Sequence, residues 1–176
     1  DGDQEMKTVV VTSFSPSGYE QYGQRFISTF RQFWPKSVEL LIYHEGQRGL
    51  NGINLLELLS CQNFLQRHRF SDEVRGQALH RPRHWKGKCE REGYNFRYDA
   101  YRFCRKVFAV EHAATTHLGA RLFWVDADVV TFDFIPEWQL SAWLPEAIGL
   151  SYLGRPVHYH SECGFVGYNL SHEQVV

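Results

Sequence analysis

No apolar run in this chain of 176 residues approaches the ~18 residues that a membrane-spanning helix requires, so no span is expected. The chain starts at Asp1 without a charged-then-apolar leader pattern. That start fits a bacterial or viral cytoplasmic setting and, for a processed chain, a Golgi lumenal one. An excess of either charge is also lacking. Lys and Arg number 19 against 20 Asp and Glu, and the net charge of -1 excludes the electrostatic footprint of a nucleic-acid or acidic-membrane binder. Cysteine is sparse and irregular: Cys61, Cys89, Cys104 and Cys163 form no Cys-x-x-Cys pair, which removes a zinc knuckle or dithiol redox centre. A chain this long folds without disulfides. Cys104 in a helical pattern and Cys163 in a strand pattern are expected to be buried free thiols, which points to a reducing compartment. Internal repeats, heptads and low-complexity tracts are missing too, which leaves a single globular domain over residues 1–176.

What is present reads as alternating strands and helices. Thr8-Val9-Val10-Val11-Thr12-Ser13-Phe14 is β-branched and apolar throughout, as suits a strand buried on both faces in a parallel sheet. It breaks at the turn cluster Ser15-Pro16-Ser17-Gly18. Tyr22, Phe26, Phe30 and Phe33 then fall at helical spacing, predicting a helix from Tyr19 to Phe33 that Trp34-Pro35 closes. A second strand, Val38 to Tyr43, completes a β-α-β unit, whose crossover implies parallel pairing. Ile53 to Leu65 carries Leu55, Leu56, Leu58 and Leu59 and predicts a helix. Residues 67–93 are rich in Arg, Lys and His, too long for a plain connection, and predict a loop or lid insert. Within it His80, Arg81, Arg83, His84, Lys86 and Lys88 are candidates to close over an anion. Asn95 to His117 predicts the clearest helix, with an apolar stripe of Ala100, Phe103, Val107, Val110 and Ala114. Gly119 stops it, and Arg121 to Val125 predicts a strand. A short helix from Pro136 to Trp143, a strand over Ala147 to Leu153 and a last strand from Ser161 to Leu170 follow, with Ser171 as a helix-start signal.

The strand at Arg121 delivers the most informative segment, Leu122-Phe123-Trp124-Val125-Asp126-Ala127-Asp128-Val129-Val130. Alternation along a strand puts Asp126 and Asp128 on one side as the chain leaves the sheet. Two carboxylates beside a core are costly unless a cation or several donors compensate them. A hard divalent ion, Mn²⁺ or Mg²⁺, shared with a diphosphate is the natural compensator. Ligands in such sheets bind outside the carboxyl ends of the strands, where this pair sits. Arg102 and Lys106, one helical turn apart, are cations suited to the same diphosphate. Thr12, Ser13 and Phe14 offer hydroxyls and a ring at the end of the first strand, where a base and ribose are accommodated.

Together, the Val-Val-Val-Thr-Ser-Phe strand, the Asp99-x-x-Arg102-x-x-x-Lys106 helix, Val125-Asp126-Ala127-Asp128-Val129 and Glu162-Cys163-Gly164-Phe165-Val166-Gly167-Tyr168-Asn169 resemble the GT-A fold nucleotide-sugar glycosyltransferases. The likeness runs over most of the chain and is most similar to the glycogenin and lipopolysaccharide-galactosyltransferase branch and to bacterial and viral relatives with Asp-Ala-Asp-Val-Val. It implies an α/β fold of GT-A, Rossmann-like type, a mixed and mostly parallel sheet flanked by helices. It further implies transfer of a sugar from a nucleoside-diphosphate donor, a UDP-sugar by family frequency, to a carbohydrate or other hydroxyl acceptor, with retention of configuration favoured by the glycogenin-like branch. Under it, Asp128 ligates Mn²⁺ or Mg²⁺, and Asp126 contacts the donor ribose, the metal or both. Arg102 and Lys106 steady the diphosphate, and Thr12, Ser13 and Phe14 border the base. Glu162 is the candidate catalytic residue, as a general base for the acceptor hydroxyl or as a clamp on the sugar.

Members of these families place a third metal ligand, commonly His, towards the end of the catalytic domain. Here Val176 follows closely on the helix-start signal at Ser171, so the expectation is a domain truncated at its C-terminus, with His158, His160 or water as substitutes. Two other functions use similar residues. A haloacid-dehalogenase-type phosphotransferase also carries Asp-x-Asp, but at the end of its first strand, whereas a β-α-β unit precedes the pair here. A non-catalytic sugar-nucleotide-binding or scaffold domain would keep the fold and lose turnover.

Overall fold

The computed structural model describes residues 6–77, 94–154 and 162–175. The chain divides into two compact units, one made of Asp1–Asn54 with Ala109–Val176 and the other of Leu55–Phe108. Among the described residues, no helix is long and apolar enough to cross a membrane.

The first unit is built on a six-stranded sheet. Its strands are β1 (Thr8–Phe14), β2 (Glu39–His44), β3 (Ile53–Asn54), β4 (Arg121–Val125), β5 (Leu150–Leu153) and β6 (Glu162–Asn169), in the spatial order β3-β2-β1-β4-β6-β5. β1 pairs in parallel with β2 and β4, and β2 with β3, while β6 is antiparallel to both β4 and β5. The fold is therefore α/β with a mixed, mostly parallel sheet, in which β6 alone runs against the rest. From β1 the chain moves outward to β2 and β3, then returns to place β4 on the other side of β1. The strand order reverses between β1 and β4, and such a switch point opens a crevice at the carboxyl ends of those strands.

The β1–β2 crossover follows from the sequence. Ser15 accepts the Gly18 N–H at 3.2 Å and caps a first turn, α1 (Pro16–Gly18), which runs through a π-helical turn at Tyr19–Gly23 into α2 (Gln24–Phe33). α2 turns Phe26, Ile27 and Phe30 into the core, where Phe30 stacks on Trp34 with ring centroids 5.0 Å apart. These side chains join Val10, Phe14, Phe123, Val125 and Ala127 on one face of the sheet. A seven-residue helix, α5 (Glu137–Trp143), adds Leu140 and the ring of Trp143, which meets Phe123 and Phe165 edge-on. Truncating one of these aromatic side chains to Ala costs about 3–5 kcal/mol, because the cavity left behind only partly collapses.

A third helix, α3 (Leu59–Arg67), precedes the long helix α4 (Ala100–Thr116). From Ala109 onward α4 belongs to the first unit, where Ala109 and Ala113 are fully buried. Tyr43 Oη lies 2.8 Å from His112 Nδ1, which ties this part of α4 to β2. Gly119 ends the α4–β4 connection with φ of 77°, a left-handed conformation that favours glycine. In the second unit, the Asp99 carboxylate accepts the Arg102 backbone N–H at 2.8 Å at the start of α4 and a hydrogen bond from Tyr94 Oη at 2.8 Å. Arg75 and Arg105 lie on the Tyr101 ring, 4.9 and 5.2 Å from its centroid.

Several expectations are corrected. The helix predicted from Ile53 to Leu65 is instead the short strand β3, a 3₁₀ turn at Leu55–Glu57 and then α3. Pairing of Tyr43 with Ile53 and His44 with Asn54 extends the sheet edge, and that overrides the local leucine periodicity. The stripe predicted for α4 is also displaced: Phe103 and Val107 are 48% and 63% exposed, whereas Cys104, Ala109 and Ala113 are buried. The helix is apolar on more than one side, so spacing alone does not select the covered face. Cys163 is an exposed thiol rather than a buried one, while Cys104 is buried as expected. Of the basic segment 67–93, Arg67 closes α3, and residues 68–77 form turns with an antiparallel bridge from Arg75 to Asp99. Residues 78–93, with Cys89 and the histidines and cations at 80–88, lie outside the described residues.

Candidate functional site at the carboxyl end of the sheet

β4 ends at Val125, and the next four residues fold into a turn closed by Val129 N–H donating to Asp126 O at 3.0 Å. The backbone N–H of Asp126 donates to Gly164 O on β6 at 2.8 Å, which pins the entry to the turn against the neighbouring strand. Strand alternation therefore no longer governs Asp126 and Asp128. They sit at two corners of a turn, with Ala127 buried between them as part of the core. Asp126 is half-buried, and its Oδ1 accepts the indole N–H of Trp124 at 2.5 Å. A hydrogen bond to a charged group is worth about 1.5–3 kcal/mol, so that donor offsets part of the desolvation of Asp126. Asp128 is exposed, and among the described residues none makes a hydrogen bond or ion pair with its carboxylate. The folding cost that was expected to demand a cation is consequently small. Compensation comes from Trp124 on one side and from solvent on the other.

Pairing between β1 and β4 is recorded from Thr8–Arg121 to Val11–Trp124, so Ser13 and the Asp turn both lie beyond it at the same end of the sheet. Val10, Phe14, Phe123 and Val125 pack in the core on one face. Alternation turns Ser13 to the other face, the side on which Trp124 meets Asp126. Thr12 is fully buried and Phe14 is 4% exposed, its ring 5.5 Å from that of Tyr19. Of the three residues expected to border a base, only Ser13 keeps part of its side chain at the surface. A central strand covered on both faces hides its side chains up to the last residue. The Thr12 hydroxyl has no hydrogen-bond partner among the described residues.

Glu162 opens β6, its backbone paired with Leu153 of β5. Because β6 runs against the other strands, its first residues lie at the end where Asp126 bonds Gly164. The Glu162 side chain, together with His158 and His160, lies outside the described residues. Arg102 and Lys106 are on the part of α4 that belongs to the second unit. Arg102 is exposed, with its guanidinium 5.8 Å from the Phe103 ring centroid, and Lys106 is half-buried.

Two groupings in the structure are not foreshadowed by the sequence pattern. Trp124 stands two residues before Asp126, but its indole N–H meets that carboxylate only because the turn after β4 sets Asp126 back against the strand. The Tyr43–His112 pair joins residues far apart in the chain and has no local signature. Burial pushes the Tyr43 phenol well above its usual range.

Two carboxylates in one turn, one held and one exposed, suit a small hard divalent ion. Such an ion takes one or two protein carboxylates and leaves its other positions to water and phosphate oxygens. Among the described residues, no group of three or more His, Cys, Asp or Glu side chains is placed to hold a metal. Fold and site define an α/β protein with a mixed, mostly parallel sheet and an acidic turn at its switch point. No family model matches the chain, and no curated protein matches its sequence.

Proposed function

We propose that this chain belongs to a metal-dependent glycosyltransferase of GT-A architecture, which moves a sugar from a nucleoside-diphosphate donor, a UDP-sugar first among them, to a hydroxyl acceptor. One observation carries the proposal: the Asp126-Ala127-Asp128 turn leaves β4 directly beside β1, where the strand order reverses and an α/β sheet accepts ligands. Asp128 and Asp126 hold Mn²⁺ or Mg²⁺, and Ser13 meets the nucleoside at the end of β1. A divalent cation at that position supplies Lewis-acid stabilisation of the charge that grows on the departing nucleoside diphosphate. The diphosphate-holding role expected of Arg102 and Lys106, and the role of Glu162 as base or sugar clamp, belong to the same proposal.

Calorimetric titration of UDP and GDP, with and without Mn²⁺, tests it. UDP binds only with Mn²⁺ in the expected outcome, and Asp128→Ala lowers the affinity by at least about 10-fold. Absence of nucleotide binding in every metal, or an Asp128→Ala variant that binds as tightly as the parent, refutes the proposal.

A further inference from the structure

We infer that the second unit, Leu55–Phe108, docks on an acidic lipid surface through an arginine-rich corner at the end of α3, with exposed apolar side chains entering the interface. The inference stands apart from the metal–nucleotide proposal and needs neither ligand. The net charge of -1 argues against such a partner for the chain as a whole, but that charge is divided unevenly. Residues 55–108 carry 12 Lys and Arg against 6 Asp and Glu, whereas the rest of the chain carries 7 against 14. Among the described residues of the second unit the balance is 7 to 4, so the excess is already present there. Charges act over a Debye length, roughly 8 Å at physiological salt, so a partner senses the nearby unit rather than the sum over the chain.

Part of that charge is gathered in one place. Arg67 and Arg69 are exposed, and among the described residues neither forms an ion pair. Arg75 donates to the Arg69 carbonyl at 2.7 Å, which brings a third guanidinium to the same corner. Asp72 and Glu73, in the turn between, are exposed and leave the corner net positive. Apolar surface accompanies it. The Phe70 ring is 86% exposed, with the Arg69 guanidinium 5.3 Å from its centroid. Phe64 of α3 meets Phe108 of α4 edge-on at 5.7 Å, so the end of α3 adjoins the turn of α4 that carries Val107, 63% exposed. Leu59, at the start of α3, is 70% exposed. Large apolar side chains held in water among cations are the composition of a surface that lies in a bilayer interface. A nucleic acid would use the arginines and the Phe70 ring, but it offers no apolar phase for Leu59 and Val107. An anionic bilayer accommodates both.

The test is co-sedimentation of the full chain, without metal or nucleotide, on vesicles of phosphatidylcholine alone and of roughly 3:1 phosphatidylcholine and phosphatidylserine. Binding is expected to the second vesicles only, and to fall at least about 10-fold between about 0.05 and about 0.5 M salt. An arginine near an acidic surface contributes about 5-fold in affinity, so Arg67→Gln combined with Arg69→Gln should lower it about 25-fold. Phe70→Ser should lower it about 5-fold at every salt concentration, because the contact it removes is apolar. All three side chains are exposed, so these variants are expected to keep the parent's circular dichroism and urea midpoint. If one does not fold, the lipid and salt dependence of the parent still decides. Equal binding to both vesicles, binding to neither, or variants that bind like the parent overturn the inference. Tighter binding of a single-stranded oligonucleotide than of vesicles at matched phosphate overturns it too, and assigns the corner to nucleic acid. Displacement of the vesicles by an equal amount of free glycerophosphoserine overturns it in favour of a phosphate pocket. With no nucleotide present, each of these outcomes leaves the glycosyltransferase proposal untouched.

Discussion

Tyr43 shows how one buried polar group couples stability to pH. Its side chain is fully buried, its hydroxyl lies 2.8 Å from His112 Nδ1, and burial raises its pKa above the ordinary tyrosine value. The folded state therefore keeps the phenol neutral at a pH where the unfolded chain ionises it. Stability from this group is complete below the unfolded value of about 10 and is lost as pH rises beyond it. Tyr43→Phe should cost about 1 kcal/mol at neutral pH through the lost hydrogen bond, yet flatten the decline in stability between pH 9 and 11. Denaturant midpoints measured across that range check it, and parallel slopes for parent and variant would remove Tyr43 from the alkaline transition. The acidic pair is instructive at the same scale. Its position after an apolar strand was legible from the residues. Its compensation by Trp124 required the turn that sets Asp126 back against its own strand.

Among elements, β6 carries a tight geometric demand. Gly167 lies opposite Phe123 in the β4–β6 pairing, and a Cβ there would stand 2.8 Å from the Phe123 ring and 2.6 Å from Ser151 Oγ. Ser151 Oγ has a rotatable bond with which to move, but Phe123 is fully buried and has no room to give. Gly167→Ala is expected to destabilise the fold by about 1–3 kcal/mol, the usual cost of overpacking, measurable as a lower urea midpoint with an unchanged m-value. A neutral outcome would mean that the β4–β6 contact relaxes more readily than a packed core does. Strands and helices differ in how far local pattern reveals them. β1 and β4 fall where β-branched and apolar runs put them, because burial on both faces leaves a continuous apolar signature. α4 was found as a helix but not by its buried face. Cys163 was misjudged because its place near the start of β6 leaves it exposed, which a strand pattern does not reveal.

For the molecule as a whole, the sheet order predicts where protection against exchange is greatest. Val9, Val10 and Val11 of β1, and Leu122 to Val125 of β4, are 3% exposed or less and occupy the middle of the sheet. β5 at the edge leaves Leu150, Tyr152 and Leu153 at least 48% exposed. Native-state hydrogen exchange should therefore be slowest in β1 and β4, near the global unfolding limit, and faster by orders of magnitude in β5. Comparable protection of β5 would imply that its free edge is covered in solution. Short-range chemistry in the chain was enough to establish the β-α-β start, the strand ahead of Asp126, and the lack of an excess of either charge. Turn residues and side-chain periodicity act over a few residues and leave their mark wherever they act. Long-range contacts settled the rest: β4 beside β1, β6 reversed against β4, Thr12 and Phe14 enclosed, and the Trp124 indole turned onto Asp126. Each of these depends on which distant segment covers a face or pairs with an edge, a competition among whole elements that no local pattern encodes.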